Sequence, residues 1–591
     1  MKYQLVDKFL GYVTKPDATN TDGRYLVSGS KNVLINDGEK VESRQGYSLF
    51  GAEDATFAPI DASYEWLTSS ATELPLRAGN SLLQVYFNGS WETLKSSLTS
   101  TNLVFTTWWN NSRKYDELVY VDGSDDTFYW TGGTALYVSA TSNSITVSAD
   151  ITRFSTSGTL RIKDSGGTWR TFTYSSYTGA VFTVTTDPTV YTYSTSAPIL
   201  EDVLSLSNNP ASGFNNNFVF TSGNHLVFGS NTSHLIYISK TTAKNDFSFS
   251  SPRVAGEGEV LTLDTYGVGG ADIEGTMFIS AGKSEWYKIA FEQLTVGTTL
   301  SETISVKKLK TGAGQGALSH DLITTIGNAI VFVSNEPALR TLGFQENYPD
   351  VQMQSLSNPI KPDFDNADFT DGHIKSHKNR IYISAPADSI VYINEVSEDE
   401  QGRQRRFWQP PQVFPVQRFA IISDTLYGHS NATPETVKLF DTYSDLENNI
   451  DCIAKFAYRN FGSRTDYKVF SRYYSEGYLQ SNTELTLTLN YDFGGAAQQV
   501  EKTILGTDSD LLFVPDVSNA LGDNPLGDVP IGQLNETIDF PKFRTTHQLA
   551  NRDFFELQTI YSSNNVDQRW QILAHGPNAI QSKNSPTKIS R

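Results

Sequence analysis

One motif recurs along this chain and limits what it can become: an apolar strand, a tight polar turn, then a second apolar or aromatic strand. It is legible at seven places: Val85 to Trp91, Val119 to Trp130, Leu226 to Ile238, Met277 to Tyr287, Ile330 to Leu342, Arg380 to Ile393 and Leu426 to Phe440. From the third instance onward the spacing is roughly 45 to 55 residues, the period of a four-stranded propeller blade. Any large β-protein throws up hairpins at irregular intervals, so that reading stays open, but near-constant spacing over four intervals favours a propeller. Residues 51–445 are therefore expected to form one propeller-like body of roughly six to eight short sheets.

Between the second and third hairpins the gap doubles. The extra chain, residues 136–200, reads as a small strand-rich β-module inserted in the propeller, with strands around Ser144 to Val147, Ser157 to Ile162, Trp169 to Tyr174 and Ala180 to Val184. A loop tip accepts such an insertion at low cost. Beyond residue 450 the rhythm stops, and Leu485 to Tyr491 alternates strictly, the mark of a strand with one face buried. Residues 450–591 are expected as a separate C-terminal β-sandwich, with a turn-rich loop from Pro515 to Gly532 and a loose tail from Ser582 to Arg591. Residues 1–50 read as an N-terminal strand segment suited to ring or adaptor contacts. The expected fold class is thus all-β.

Composition closes off several classes. With 591 residues the chain can bury ample core in more than one domain. The single cysteine, Cys452, excludes an internal disulfide framework and a Cys-based zinc site, and suits folding in a reducing cytoplasm. The residues after Met1 lack the apolar core of a signal peptide, and no run reaches the apolar length of a membrane span. A formal net charge of −19 argues against gripping nucleic acid, since phosphate binding needs clustered Lys and Arg, but not against letting DNA slide past.

Chemistry has few addresses. Gly312-Ala313-Gly314-Gln315-Gly316 lacks the Lys-Ser/Thr of a phosphate loop and reads as a tight inter-blade loop. His373 and His377 stand four apart, but Gly372 and the strand that follows make them exposed loop histidines rather than zinc ligands. Asp363, Asp365, Asp368 and Asp371 do not have EF-hand spacing and read as a solvated acidic loop. Arg403, Arg405 and Arg406, beside Phe407 and Trp408, form the one small basic patch with aromatics, suited to an inter-subunit or inter-blade contact. There is no Gly-x-Ser-x-Gly elbow. With 65 acidic residues, a pair of carboxylates for glycoside hydrolysis can always be nominated, so none is informative. No catalytic residue, cofactor or metal site is assigned.

The segment Lys31 to Tyr47, in which Asn32-Val33 leads through Gly38 to Arg44-Gln45-Gly46, resembles the opening of phage tail nozzle and hub proteins, many of which carry Arg-Pro-Gly there. Phe247 to Pro252, and Arg380 to Ile383 followed by Phe407-Trp408-Gln409-Pro410, resemble the middle of the same proteins. Gly158 to Val184 resembles a small β-module recurrent in phage tail proteins. The resemblance, to the tail tubular protein B-like family of short-tailed phages, implies a structural virion subunit made in the host cytoplasm. It implies a homo-oligomeric ring of about six copies below the portal and adaptor, with tail fibres attached. DNA would pass through such a ring without specific binding, and no membrane is involved. Two other classes stand beside it: a receptor- or carbohydrate-binding tail protein, with Trp108 and Trp109 stacking on sugars, and a polysaccharide-degrading enzyme.

Overall fold

The computed structural model describes residues 4–583 apart from 15–22, 52–56, 310–314, 399–403, 462–466, 493–498, 507–541 and stretches of one to four residues. The loop Pro515 to Gly532, Arg403 and the last eight residues therefore lie outside the described residues.

Seven antiparallel sheets of four strands follow one another along the chain, the sixth with a short fifth strand, Gln412–Val413, beside its third. Their first strands are Ile60–Leu67, Val104–Asn110, Phe218–Ser222, Gly267–Ile273, Ile323–Ile326, Ile374–His377 and Val416–Ile422. These strands stand side by side around a common axis. Tyr64 stacks on Phe105 (5.5 Å), Thr106 bonds Thr221 (2.9 Å), and Ser222 donates to Asp272 (2.5 Å). The Gly270 amide donates to His320 Nδ1 (3.3 Å), the Phe419 amide to His373 Nδ1 (3.1 Å), and Ser63 to the Phe419 carbonyl (3.1 Å), which brings the seventh sheet back to the first. The body is a seven-bladed propeller.

Each of the seven hairpins lies in its own blade, six as second and third strands and the earliest as third and fourth. Second strands such as His225–Gly229 and Arg380–Ala385 are sandwiched between neighbouring blades, so both faces are buried and the sequence is a continuous apolar run. Gly223 and Asn224, both at positive φ, make the two-residue turn that sets the register of Ser222 opposite His225. The fourth strand of blade seven is Tyr47–Leu49, which pairs antiparallel with Thr436–Leu439, so a strand from near the start of the chain completes the ring.

The insertion sits between the third and fourth strands of blade two, Thr127–Trp130 and Leu204–Leu206. It is a closed six-stranded barrel running from Thr134 to Glu201, with its own core around Ile145, Leu160, Phe172, Phe182 and Ile199.

Two further sheets form the C-terminal sandwich. One is Ile450–Lys455, Leu557–Asn565, Glu484–Tyr491 and Gln499–Leu505; the other is Val33–Ile35, Val41–Ser43, Trp570–Pro577, Arg472–Leu479 and Lys542–Gln548. Leu485, Leu487 and Leu489 are buried, as their alternation requires. Ser582 and Lys583, expected in a loose tail, lie in the strand Gln581–Lys583 paired with Tyr467–Val469.

The expectation of a sandwich apart from the propeller is corrected. One continuous core joins Leu485, Leu487, Tyr561 and Trp570 of the sandwich to Val331, Ile383 and Trp408 of blades five and six and to Phe364 of the short helix Lys361–Asn366 that links them, and it includes Phe9, Leu26 and Val33. Alternation shows that one face of a strand is buried but not what covers it. The first fifty residues likewise do not stand alone: they give one hairpin to the sandwich and one strand to blade seven.

Candidate functional site

Two places concentrate buried polar groups. The first is the joint where the N-terminal hairpin, blades six and seven, and the sandwich meet. Asn32 lies at φ 54°, a left-handed conformation that Asn tolerates better than most residues. Its side-chain nitrogen donates to the Asp451 carbonyl (2.9 Å), and its Oδ1 accepts from the Val413 amide (2.7 Å) and Arg44 Nε (3.0 Å). Arg44, almost fully buried, holds Asp445 with both terminal nitrogens, bonds the Val413 carbonyl (3.0 Å), and lies 4.1 Å over the Phe414 ring. Bonds at several atoms and a paired carboxylate are what let a guanidinium sit out of water.

Gly46 has no alternative, because a Cβ there would stand 2.0 Å from the Ser444 carbonyl oxygen. The neighbouring contact comes from Gln409, fully buried, which takes both the amide (2.7 Å) and the carbonyl (2.8 Å) of Ile35 and bonds Glu395 (2.7 Å). Asn32, Arg44 and Gly46 from one sequence motif and Gln409 from another thus converge on one joint, although some 370 residues separate them. Cys452 is buried in the core beside it, and burial pushes its thiol up to about 12, so it is inert.

The second place is the propeller axis. Arg418, on the inner strand of blade seven, is engaged at all three nitrogens: Nε donates to the Asp61 carbonyl (2.5 Å), Nη1 to the Asp371 and Gly372 carbonyls (both 2.9 Å), and Nη2 to Asn102 Oδ1 (3.3 Å), while Nη2 also forms an ion pair with Asp321 Oδ2 (3.0 Å). One side chain therefore ties five blades together across the axis. His320 and His373 stand beside it. Each accepts a backbone amide at Nδ1, which places the proton on Nε2, and burial holds both below the usual histidine range.

His373 was expected as an exposed loop histidine, and this is corrected. The loop that precedes an inner strand opens onto the axis, so the ring lies among Arg418, Phe419 and Lys375. His377, at the far end of the same short strand, has a mostly buried side chain that reaches 3.9 Å from Asp424. The four aspartates are dispersed: Asp363 accepts from Tyr12 (2.5 Å), Asp365 pairs with Lys361, Asp368 accepts the Thr370 amide (2.9 Å), and Asp371 gives its carbonyl to Arg418. Among the described residues no three His, Cys, Asp or Glu side chains converge as for a metal.

Arg405 spends its charge within the chain, on Glu39 (2.9 Å) and the Leu10 carbonyl, while Arg406 is exposed. Gly316 lies in an inter-blade turn, where its amide bonds the Lys283 carbonyl (3.0 Å) and its carbonyl the Asn335 amide (3.0 Å); Gly312 to Gly314 lie outside the described residues. Trp108 is buried, its ring N–H on the Asn224 carbonyl (3.0 Å), whereas Trp109 is 39% exposed. Sequence reasoning missed Arg418. Its signal was a single cation inside the otherwise apolar run Phe419 to Ile422 and Val416, a place where charge survives only if saturated.

These features define an all-β chain whose seven-bladed propeller and sandwich are locked together by a buried polar joint. No family model matches the sequence, and no curated protein matches it. Among solved structures, two crystal structures of BBS1N in complex with ARL6DN, one soaked with lead and one with mercury, are similar at 9% identity. Each covers 68% of this chain and 100% of that chain, with TM-scores of 0.32 and 0.33, so the fold reading rests on the strand pairings above.

Proposed function

We propose that this chain is a structural subunit of a bacteriophage tail, one of about six copies in a nozzle or hub ring that passes DNA and carries neighbouring tail proteins. The observation that supports it is the joint. The residues that carry the resemblance to nozzle proteins, Asn32, Arg44 and Gly46 together with Gln409, serve one mechanical purpose, fixing propeller to sandwich. A part that transmits load between neighbours needs that rigidity. Since Arg418 bridges the propeller axis, DNA would run between copies and not through a propeller. The copies would offer adaptor- and portal-side proteins one face and tail fibres another, in a virion assembled from subunits made in the host cytoplasm.

Negative-stain images of the purified protein test this. Rings of about six copies are expected. A chain that stays monomeric by light scattering across the concentration range, and forms no ring with tail or portal-side proteins, overturns the reading.

A further inference from the structure

At one mouth of the propeller, among blades two to five, lies a cavity of about 230 Å³. Asn102 and Asp321 form part of its wall, Asn102 in a loop and Asp321 in a short 3-10 turn just ahead of inner strands, and both engage the same Arg418 nitrogen, one by a hydrogen bond and one as an ion pair. That shared anchor holds both side chains at the cavity, leaving an amide donor, Asn102 Nδ2, and a carboxylate acceptor, Asp321 Oδ1, with no further partner among the described residues. Arg418 itself is engaged at all three nitrogens by the chain. His320 adds a second donor, its ring fixed by the Gly270 amide and by stacking on Phe218 at 5.7 Å. The Tyr266 hydroxyl makes no hydrogen bond within the described residues, and Tyr266, Val104, Val268 and Leu318 supply apolar wall. At the rim, Lys283 is exposed, with no ion-pair partner among the described residues.

Adjacent donors and acceptors suit hydroxyl groups, which give and take at once. Flat apolar wall suits the C–H face of a ring. The volume lies below the roughly 300–1,000 Å³ of drug-sized pockets, room for one ring and no more. An ammonium at the rim suits a carboxylate substituent. We propose that this cavity binds a single hexuronic acid unit, its vicinal hydroxyls on Asp321 and Asn102 and its carboxylate on Lys283. The site does not rest on the tail reading, and it places sugar recognition at the propeller mouth rather than at Trp109.

Saturation-transfer NMR and calorimetry on the full chain with glucuronate, galacturonate, glucose and acetate test it. The uronates are expected to bind with a dissociation constant of about 1 mM, glucose about tenfold more weakly, and acetate not measurably. Lys283→Ala, on an exposed side chain, should reduce uronate binding to the level of glucose, Asn102→Ala should weaken both sugars about tenfold, and Trp109→Ala should change nothing. Because Asn102 also braces Arg418, its variant is read only with an unchanged thermal midpoint, and Lys283→Ala carries the test alone otherwise. Absence of transfer to either uronate at concentrations well above 1 mM overturns the proposal, as does binding that Lys283→Ala leaves intact or that acetate displaces.

Discussion

Arg44 and Asp445, 401 positions apart, are joined by two hydrogen bonds, Nη1 to Oδ1 at 2.8 Å and Nη2 to Oδ2 at 2.5 Å. Removing the guanidinium leaves a largely buried carboxylate without its partner. Arg44→Ala should therefore lower resistance to denaturant by about 3–5 kcal/mol, and Arg44→Lys should not restore it, because an ammonium cannot grip both oxygens. Tryptophan fluorescence during unfolding in guanidinium reads both; a loss under about 1 kcal/mol would contradict the role given to this pair.

Deletion of residues 140–198 should leave the propeller folded, since the barrel has its own core and its entering and leaving strands pair at Ala135 and Ile199. The deletion also strips Lys163 from Glu92, a carboxylate only 4% exposed, at a present distance of 2.8 Å. The shortened chain should melt cooperatively but at a lower temperature, and Glu92→Gln should recover part of the loss. Loss of cooperative melting in calorimetry would make the barrel an integral part of blade two.

Acid should destabilise the protein through its buried imidazoles. Burial lowers His429 and His575 to about 3, against an ordinary value of 6.5 in the unfolded chain. The unfolded state thus binds protons first, so the contribution is whole above pH 6.5 and declines as pH falls from there toward 3, by about 1.4 kcal/mol per pH unit for each histidine. Glu42 and Asp363, raised by burial, act with the opposite sign, gaining stability as they protonate. His575→Phe keeps the ring contact with Phe456 (4.6 Å) and cannot titrate, so its thermal midpoint should fall less between pH 7 and 5. Parallel pH profiles for variant and wild type would refute the assignment.

In the proposed ring of about six copies the formal charge of −19 would sum to on the order of a hundred negative charges, and a wall of that sign would repel DNA. Arg405, the obvious cation for phosphate, is already engaged by Glu39. Mobility shift should show negligible binding of double-stranded DNA even at about 50 mM salt, where the Debye length is slightly above 10 Å. Micromolar, salt-sensitive binding would point to Arg406 and its neighbours and reverse this view.

The blades were legible because a hairpin is local: each pairs residues within a few positions, so Met277 to Tyr287 or Ile330 to Leu342 announces itself by apolar runs around a turn. The barrel was legible as a doubled gap. The closure by Tyr47–Leu49 was not, since three residues carry no periodicity and the partner lies at Thr436–Leu439. The axis was hidden for a related reason. Asn102, Asp321, His373 and Arg418 come from four blades, and only the closed ring makes them neighbours. At the joint the motif was visible, whereas its meaning required Asp445 and Gln409.

The ring closure also dictates a timetable. Tyr47–Leu49 must wait roughly 400 residues of synthesis for Thr436–Leu439, while Val41–Ser43 must wait still longer for Trp570–Pro577. At ordinary rates of synthesis those intervals are on the order of a minute, during which Tyr47–Leu49 has no partner and the hairpin of Val33–Ile35 and Val41–Ser43 keeps an open edge. A nascent chain of this design therefore closes its propeller once Thr436–Leu439 emerges but leaves its sandwich open until Trp570–Pro577 does, and whatever shields the segment Val33 to Leu49 in the meantime governs how much of it matures.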